Sequence, residues 1–273
     1  MIAVGVGVFG SLIGSFLNVV IFRVPAGRSV VSPPSACGNC GARVRTLDNL
    51  PVLSWLVLRG KCRDCRAPIS ARYPLVELGT ALFFAAVAWF VLANPAPDAI
   101  GVVAVAATVL ALVAFLYFAA ISVALALIDL DTQRLPNSIV LPAYPVAAVL
   151  LTAAALTAGA PERLLTMAVG ALSLFAAYLA MASLYRGGMG FGDVKLAGVI
   201  GLFLGWLGWG PLAVGAFAAF LLGGLFSLVL VLTRGATGRT AIPFGPWMIV
   251  GAWVGIFAGE QIANAYLALF GLV

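Results

Sequence analysis

Residues 196–233 read LAGVIGLFLGWLGWGPLAVGAFAAFLLGGLFSLVLVLT, a run of 38 residues without one Asp, Glu, Lys or Arg. About 20 apolar residues cross the hydrocarbon core of a bilayer as a helix, so this run is long enough for two short spans. The turn between them is predicted within Gly205–Pro211, where glycine and proline favour a turn and the tryptophans suit a membrane interface. The run therefore predicts two helices that cross a membrane.

The rest of the chain repeats this pattern. Six further runs of 20 to 30 residues lack charged side chains, and each is long enough for one span. Hydrophobic residues make up 63% of the 273 residues and charged residues 9%, against about 45–50% and about 25% in soluble domains. Such a chain has too few polar groups to cover a soluble surface. We therefore expect an all-α polytopic membrane protein with about eight transmembrane helices.

The basic residues predict the orientation of these helices. Nine of the fifteen Lys and Arg residues lie between Arg23 and Arg72, in the single long polar segment. Threading eight spans outward from that segment puts fourteen basic residues on one side and leaves Arg163 on the other. Because basic residues accumulate on the cytoplasmic side, residues 23–73 are expected in the cytoplasm and both termini outside. This topology explains the net charge of +6 without nucleic-acid binding.

The four cysteines form two C-x-x-C pairs in the predicted cytoplasmic loop, Cys37 with Cys40 and Cys62 with Cys65. Two such pairs, here with 21 residues between them, can close a tetrahedral thiolate site around zinc. The alternative is two disulfides, which a reducing cytoplasm disfavours. Four protein ligands leave no open position on the metal, so the predicted zinc is structural.

A loop of this size builds a poor hydrophobic core alone, and metal binding would supply the missing folding energy. The sequence therefore predicts three parts. They are a first transmembrane helix at 1–22, a cytoplasmic four-cysteine zinc loop at 23–73, and a membrane core of seven helices at 74–273.

Few residue types remain that could perform catalysis. The absence of histidine excludes Ser-His-Asp and Cys-His catalysis and imidazole metal ligands. Of the nine carboxylates, three are predicted outside and three belong to the zinc loop or its exit. The remaining three are Asp129 and Asp131 at the end of the third span and Asp193 at the start of the sixth. The threading places all three at one depth on the cytoplasmic side, where ionisable groups indicate a functional site.

The chemistry of these groups fits an aspartate dyad. In such a pair one ionised carboxylate takes a proton from water, while the other keeps its proton and hydrogen-bonds the scissile carbonyl. Gly190 and Gly192, on either side of Phe191, allow the close approach of a neighbouring backbone. The competing interpretation is that these aspartates only cap helices or pair with Lys195 and Arg134. The second acidic site at matching depth and the lack of other catalytic groups favour the dyad.

These motifs resemble those of the type IV prepilin peptidases, bacterial polytopic aspartyl proteases with a G-x-G-D motif. The similarity runs over nearly the whole chain. It is carried by Gly14–Arg23, the four-cysteine loop, Asp48–Pro51, Ser54-Trp55, Arg72–Glu77, Ile128-Asp129, Leu135-Pro136-Asn137, Gly190–Lys195 and Ile242–Pro246. Leu50 is a small departure, because it stands where the family usually has Ile or Val.

The resemblance implies cleavage of short basic leaders from prepilins and pseudopilins of type IV pili and type II secretion systems. The cut would follow a glycine and precede a residue that is usually phenylalanine. The resemblance aligns the two catalytic aspartates of the family with Asp129 and Asp193. The first is Asp129 because the family places its Leu-Pro-Asn six to eight residues after that aspartate. Members with the cysteine loop also methylate the new amino terminus with S-adenosylmethionine. The location implied is the bacterial inner membrane, with the active site at its cytoplasmic face.

Two other functions are weighed against this one. A proton- or cation-coupled transporter would use its acids for transport, but transporters usually place such acids near mid-membrane and often show duplicated halves. A zinc-stabilised scaffold for a secretion system would explain the loop but not the G-x-G-D motif. The sequence favours the peptidase.

Overall fold

The computed structural model describes residues 1–95, 100–184, 189–234 and 243–272. Within them the chain forms helices and no sheet, with only two isolated β-bridges. The helices are α1 Ile2–Arg23, α2 Leu53–Val57, α3 Arg72–Ala93, α4 Gly101–Thr132, α5 Asn137–Thr157, α6 Glu162–Leu184, α7 Phe191–Leu207, α8 Trp209–Arg234 and α9 Gly245–Ala268, with a 3₁₀ helix at Thr46–Asn49. The predicted all-α fold class is confirmed.

Six of these helices are long and apolar enough to cross a membrane, namely α1, α3, α4, α5, α6 and residues 209–233 of α8. Neither α7, which has 17 residues, nor α9 is among the six. The total of eight spans therefore stays a prediction. The long run at 196–233 is divided as expected, because α7 ends at Leu207 and α8 begins at Trp209. Gly208 between them has a φ of +131°, which favours glycine.

The chain packs as two compact units. One unit contains residues 1–94 and 116–124, and the other contains residues 95–115 and 125–273. The three-part division expected from the sequence stays a prediction. Asp98, Arg186 and Arg239, which contribute to the predicted charge asymmetry, and Ile242 of the last motif lie outside the described residues.

In the first unit, α1 and α3 are in direct contact along a stripe of glycines on α1. A Cβ atom on Gly10 would lie 2.7 Å from the Cβ of Phe84, and one on Gly14 would lie 2.8 Å from the Cα of Glu77. Small residues let two membrane helices approach closely, where packing replaces the missing hydrophobic drive. Further along this face, the Asn18 side chain donates a hydrogen bond of 3.2 Å to the carbonyl of Tyr73.

In the second unit, α7 is the central helix and contacts α5, α6, α8 and α9. Its contact with α6 is made by glycines, since a Cβ on Gly201 would collide with the carbonyl oxygen of Gly170. The α8–α9 contact follows the same rule, because a Cβ on Gly255 would lie 2.6 Å from the carbonyl oxygen of Pro211. At the end of α7, the indole N–H of Trp206 donates to the carbonyl of Leu151 at 3.0 Å.

This packing makes a testable stability prediction. Replacing Gly201 by Ala should force α6 and α7 apart and lower the free energy of unfolding by about 1–3 kcal/mol, as expected for overpacking. Gly224→Ala in α8 is the matched control, because no other group lies within 4 Å of its added methyl group. Thermal unfolding in detergent measures both variants. Equal melting temperatures would contradict the close α6–α7 contact.

Candidate active site and cysteine cluster

Asp129 lies in the last turn of α4 and is 5% exposed. Its Oδ2 accepts a hydrogen bond of 3.1 Å from the backbone N–H of Gly245, the first residue of α9. Asp131, two positions further on, is exposed, because residues two apart project from different sides of a helix. The structure therefore separates the two acids that the sequence places side by side.

Asp193 is the third residue of α7 and is partly buried. Its Oδ2 accepts a hydrogen bond of 3.2 Å from the backbone N–H of Gly190, while its own N–H donates to the carbonyl of Gly190 at 3.0 Å. The first turn of a helix presents unpaired N–H groups and the positive end of the helix dipole, which stabilise a carboxylate. The G-x-G-D motif is thus the start of a helix with its acid at the favourable end.

Leu135 lies beside both acidic sites. A Cβ atom on Gly192, next to Asp193, would lie 3.0 Å from the Cβ of Leu135. One on Gly245 would lie 3.5 Å from the Cδ2 of Leu135 and 2.7 Å from the Oδ2 of Asp129. The same side chain thus lies beside the glycine next to Asp193 and beside the glycine that binds Asp129. The structure therefore brings the two acids of the predicted dyad together around one leucine side chain.

Leu135 reaches this position because the chain turns sharply after α4. Gln133 ends the helix in the left-handed conformation, with its N–H bonded to the carbonyl of Asp129 at 2.8 Å. Pro136 is extended and directly precedes α5. Proline fixes φ near −65° and cannot continue the preceding helix, which suits it to this position.

Lys195 does not neutralise the aspartates. Its Nζ donates to the Oδ1 of Asn137 at 2.9 Å and lies 4.9 Å from the centre of the Phe191 ring. Within the described part of the chain, neither Asp129 nor Asp193 forms an ion pair. For Asp129 and Asp193 the ion-pair interpretation therefore has no support among the described contacts.

A second contact also links α5 to α7. The hydroxyl of Tyr144 donates a hydrogen bond of 2.6 Å to the carbonyl of Lys195, and it passes over Gly198 to do so. A Cβ on Gly198 would collide with that hydroxyl. Together with the Lys195–Asn137 bond, this contact fixes the beginning of α7, which carries Asp193.

The four cysteine sulfur atoms lie within 4.8 Å of one another, so the predicted cluster is present. Cys37 and Cys65 bring their sulfurs to 3.7 Å. Zinc bound tetrahedrally at about 2.3 Å from each sulfur requires a separation of about 3.8 Å between them. The donor set and the spacing therefore fit a metal ion that prefers thiolates.

The two C-x-x-C segments have the same backbone. The first is closed by a bridge between Ala36 and Arg43, and the second by a bridge between Lys61 and Pro68. In both segments the residue after the second cysteine has a positive φ, +72° at Gly41 and +60° at Arg66. Each turn directs backbone N–H groups at its own sulfurs. In the second, the N–H of Ala67 and then the side chain of Asn39 lower the pKa of Cys65 to about 6.

Charged pairs join the two cysteine segments. Arg63, between the cysteines of the second pair, binds both carboxylate oxygens of Asp48. Its neighbour Asp64 accepts a hydrogen bond of 2.9 Å from Arg45, just beyond the first pair. The hydrogen bond from Arg63 holds the pKa of Asp48 below its usual value of 3.8. These contacts help to hold the two segments together around the sulfurs.

Gly245 and Leu135 are parts of the acidic site that the sequence did not predict. Both belong to motifs shared with the family, but a sequence motif does not show that a backbone N–H binds a carboxylate 116 positions away. The hydrogen bond from Tyr144 to Lys195 was not predicted either. Its only signal in the sequence is an aromatic residue with a polar hydroxyl in an apolar helix.

Comparisons with known proteins identify the family of this chain. A model described as the Bacterial Peptidase A24 N-terminal domain matches residues 8–91, and a model of the type IV leader peptidase family matches residues 116–228. A Pseudomonas putida protein named prepilin leader peptidase/N-methyltransferase is 36% identical over 97% of this chain and 93% of its own length. The chain belongs to the type IV leader peptidase family. The family resemblance and the enzyme class predicted from the sequence are thereby confirmed.

Other relatives of the same name support this membership. They include proteins of Aeromonas hydrophila, 35% identical over 96% of this chain and 92% of their own length, and of Neisseria gonorrhoeae, 32% identical over 94% and 91%. No significant match to a solved structure was found. Within this leader peptidase, the first family model covers the cysteine cluster and the second covers Asp129 and Asp193.

The Tyr144 contact can be tested in this leader peptidase by a double-mutant cycle. Tyr144→Phe removes one hydrogen bond and should cost about 0.5–1.5 kcal/mol of unfolding free energy. Gly198→Ala should cost more, because the hydroxyl cannot keep its place. The double variant should be more stable than the sum of the two losses implies, since the phenylalanine lacks the colliding oxygen. Thermal unfolding of the four proteins measures the coupling, and additive losses would show that the two residues do not meet.

Proposed function

We propose that the chain cleaves the short basic leader of prepilins or pseudopilins and then methylates the new amino terminus. The observation that carries this proposal is that Leu135 lies beside both acidic sites, those of Asp129 and Asp193, in a chain of the leader peptidase family. The name shared by its relatives, prepilin leader peptidase/N-methyltransferase, supports both reactions. S-adenosylmethionine would supply the methyl group.

In the proposed peptidase reaction the aspartates act as a pair. One carboxylate, ionised, accepts a proton from a water molecule that attacks the scissile carbonyl carbon. The other, protonated, donates a hydrogen bond to the carbonyl oxygen as negative charge develops there. The collapse of the tetrahedral species then needs a proton on the leaving amine, which the first aspartic acid can return. The pair ends with one proton, as it began.

The hydrogen bonds at the site suit this chemistry. The N–H groups of Gly245 and Gly190 each bind the Oδ2 atom of one aspartate, which fixes the plane of each carboxyl group. Among the described residues no hydrogen bond to either Oδ1 atom is present, and we propose that these oxygens bind water and substrate. Pre-set orientation of this kind lowers the reorganisation needed during the reaction.

The membrane location fits a substrate with a basic leader and an apolar stem. A basic leader stays in the cytoplasm while the stem lies in the bilayer, so the bond between them lies at the cytoplasmic interface. We propose that Asp129 and Asp193 face that interface, with both termini of the chain outside the inner membrane. Both acids lie within one turn of a helix end, in the last turn of α4 and the first turn of α7. A transporter would place them nearer mid-helix.

Single substitutions test the dyad. Asp129→Asn and Asp193→Asn should each lower the rate of prepilin cleavage by about 100-fold or more, since each removes one proton-transfer group. Asp131→Asn is the matched control, because this acid is on the same helix but exposed, and it should keep most of the activity. The rate of the unchanged protein should show a bell-shaped pH dependence that belongs to the coupled pair.

The assay is cleavage of a purified prepilin by reconstituted protein, with melting temperatures to confirm that each variant is folded. Near-normal cleavage by Asp193→Asn would rule out the dyad. A normal rate for the Asp131→Asn control together with loss in both other variants would support it.

We further propose that the cysteine cluster holds one structural zinc ion. Cys37, Cys40, Cys62 and Cys65 would be its ligands, and the ion would complete the folding of a loop that has little core of its own. Its role would be to hold the loop and not to activate water, because four protein ligands fill a tetrahedral site.

Elemental analysis of protein purified without chelator should therefore find about one zinc per chain. Replacing all four cysteines by serine should remove the metal and raise the susceptibility of residues 28–71 to proteolysis. Prepilin cleavage should fall less than loop stability, because Asp129 and Asp193 belong to the other compact unit. Ser54→Ala, in the same loop, should retain the metal. Protein that is active, intact and free of zinc would contradict this role.

A further inference from the structure

The cytoplasmic loop carries an apolar surface that neither the carboxylates nor the cysteines use. Leu50, Leu53, Leu56 and Val57 are each between 48% and 77% exposed, and we name them the apolar patch. The last three occupy positions i, i+3 and i+4 of α2, so they share one face of that helix. Several large apolar side chains exposed together mark an interaction site, whereas isolated ones do not.

The opposite face of α2 is packed, so the direction of the patch is fixed. The indole N–H of Trp55 donates to the carbonyl of Ile69 at 3.1 Å. A Cβ on Gly60 would lie 2.8 Å from the Trp55 ring, so this glycine allows the indole to lie flat on the loop. The apolar patch therefore points away from the interior of the loop.

A hydrogen bond places the patch relative to the membrane. The backbone N–H of Val52 donates to the Oε2 of Glu77 at 2.7 Å. Glu77 is five residues beyond Arg72, the first residue of the membrane-spanning helix α3, which is about 7.5 Å along its axis at 1.5 Å per residue. Helices that lie in a membrane interface bury their apolar side by about 5–10 Å. Val52 and its neighbours Leu50 and Leu53 are thus held beside the first turns of α3, about 7.5 Å from its beginning.

This attachment is built into the fold. Val52 has a φ of +61°, a conformation that is unfavourable for a β-branched residue and persists only where the surroundings hold it. Glu77 is 9% exposed, and its carboxylate would be costly to bury without a donor. The N–H of Val52 therefore stabilises the buried carboxylate, and the hydrogen bond helps to hold Val52 in its unfavourable conformation. This contact ties the turn before α2 to α3.

The basic residues that follow the patch along the chain favour an anionic surface. Arg59, Lys61 and Arg66 are exposed, and none of them forms an ion pair with a described residue. Arg59 follows α2 closely. Basic side chains beside an exposed apolar helix face are typical of segments that lie on anionic membranes.

We propose that the apolar patch is inserted in the interfacial layer of the bilayer beside α3, and that its partner is phospholipid. Arg59, Lys61 and Arg66 contact anionic headgroups around it. The loop that carries the cysteine cluster is therefore held against the membrane by lipid as well as by its connections to α1 and α3. This inference does not depend on the proposed peptidase reaction.

Photo-crosslinking to lipid tests the inference. The full-length protein is reconstituted in vesicles of phosphatidylethanolamine and phosphatidylglycerol that contain a phospholipid with a diazirine near the top of an acyl chain. After illumination, mass spectrometry should find lipid adducts on residues 50–57, as on the exposed Leu75 and Leu78 of α3. Val31, in the same loop and 87% exposed, is the internal control and should carry few adducts.

Substitution distinguishes insertion from misfolding. The double variant Leu53→Ser with Leu56→Ser should lose most adducts on residues 50–57, while its zinc content and the adducts on Leu75 stay unchanged. Val31→Ser should change nothing. The inference is overturned if residues 50–57 carry no adducts while Leu75 and Leu78 do, or if Val31 is labelled as strongly as the patch. It is also overturned if a photo-reactive group at Leu56 crosslinks added prepilin in place of lipid.

Discussion

An ionisable side chain at the edge of a bilayer is stable only if polar groups of the protein or water surround it, and here the protein supplies backbone N–H groups. Asp129 receives its donor from the start of α9, and Asp193 receives its donor from the residue before α7. The first bond requires the ends of α4 and α9 to meet, whereas the second is local to the start of α7. Leu135, which lies beside Gly192 and Gly245, is common to both sites.

Close helix packing makes this meeting possible. Lipid tails are as apolar as the side chains of the helices, so apolar burial does not drive the helices together, and close backbone contact and hydrogen bonds take its place. Glycines provide that contact between α6 and α7 and between α8 and α9. The hydrogen bond from Tyr144 to Lys195 and that from Trp206 to Leu151 add polar links to α5. The geometry around Asp193 therefore depends on residues that never touch it.

Features that come from local chemistry could be predicted from the sequence. The division of residues 196–233 at Gly208, the helical class and the clustering of the four cysteines follow from composition, spacing and turn residues. Helix ends were less predictable. The charge-free run begins at Leu78, yet α3 begins at Arg72 and includes Glu77, whose buried carboxylate accepts a hydrogen bond from Val52. A prediction from charge-free runs cannot show that a charged side chain within a helix has a hydrogen-bond donor elsewhere in the chain.

Contacts between positions far apart in the chain also could not be predicted from the sequence. Asp129 and Asp131 look equivalent in the chain, and only the resemblance to a family separated them, whereas burial separates them at once in the structure. The bond from Gly245 to Asp129 joins residues 116 positions apart and leaves no local pattern. Such contacts arise when the helices pack, so a single sequence carries no direct signal for them.

The central claim is that Asp129 and Asp193 open to the same face of the membrane. The most direct measurement is labelling of single added cysteines at Thr132 and at Phe191, which lie close to the two acids, with a reagent that cannot cross the membrane. We expect neither cysteine to react in intact cells and both to react in inverted membrane vesicles. In the vesicles, the labelling of each variant is compared with that of the unchanged protein, whose four native cysteines set the background. Labelling of one position from outside and the other from inside would place the carboxylates on opposite faces and contradict the account.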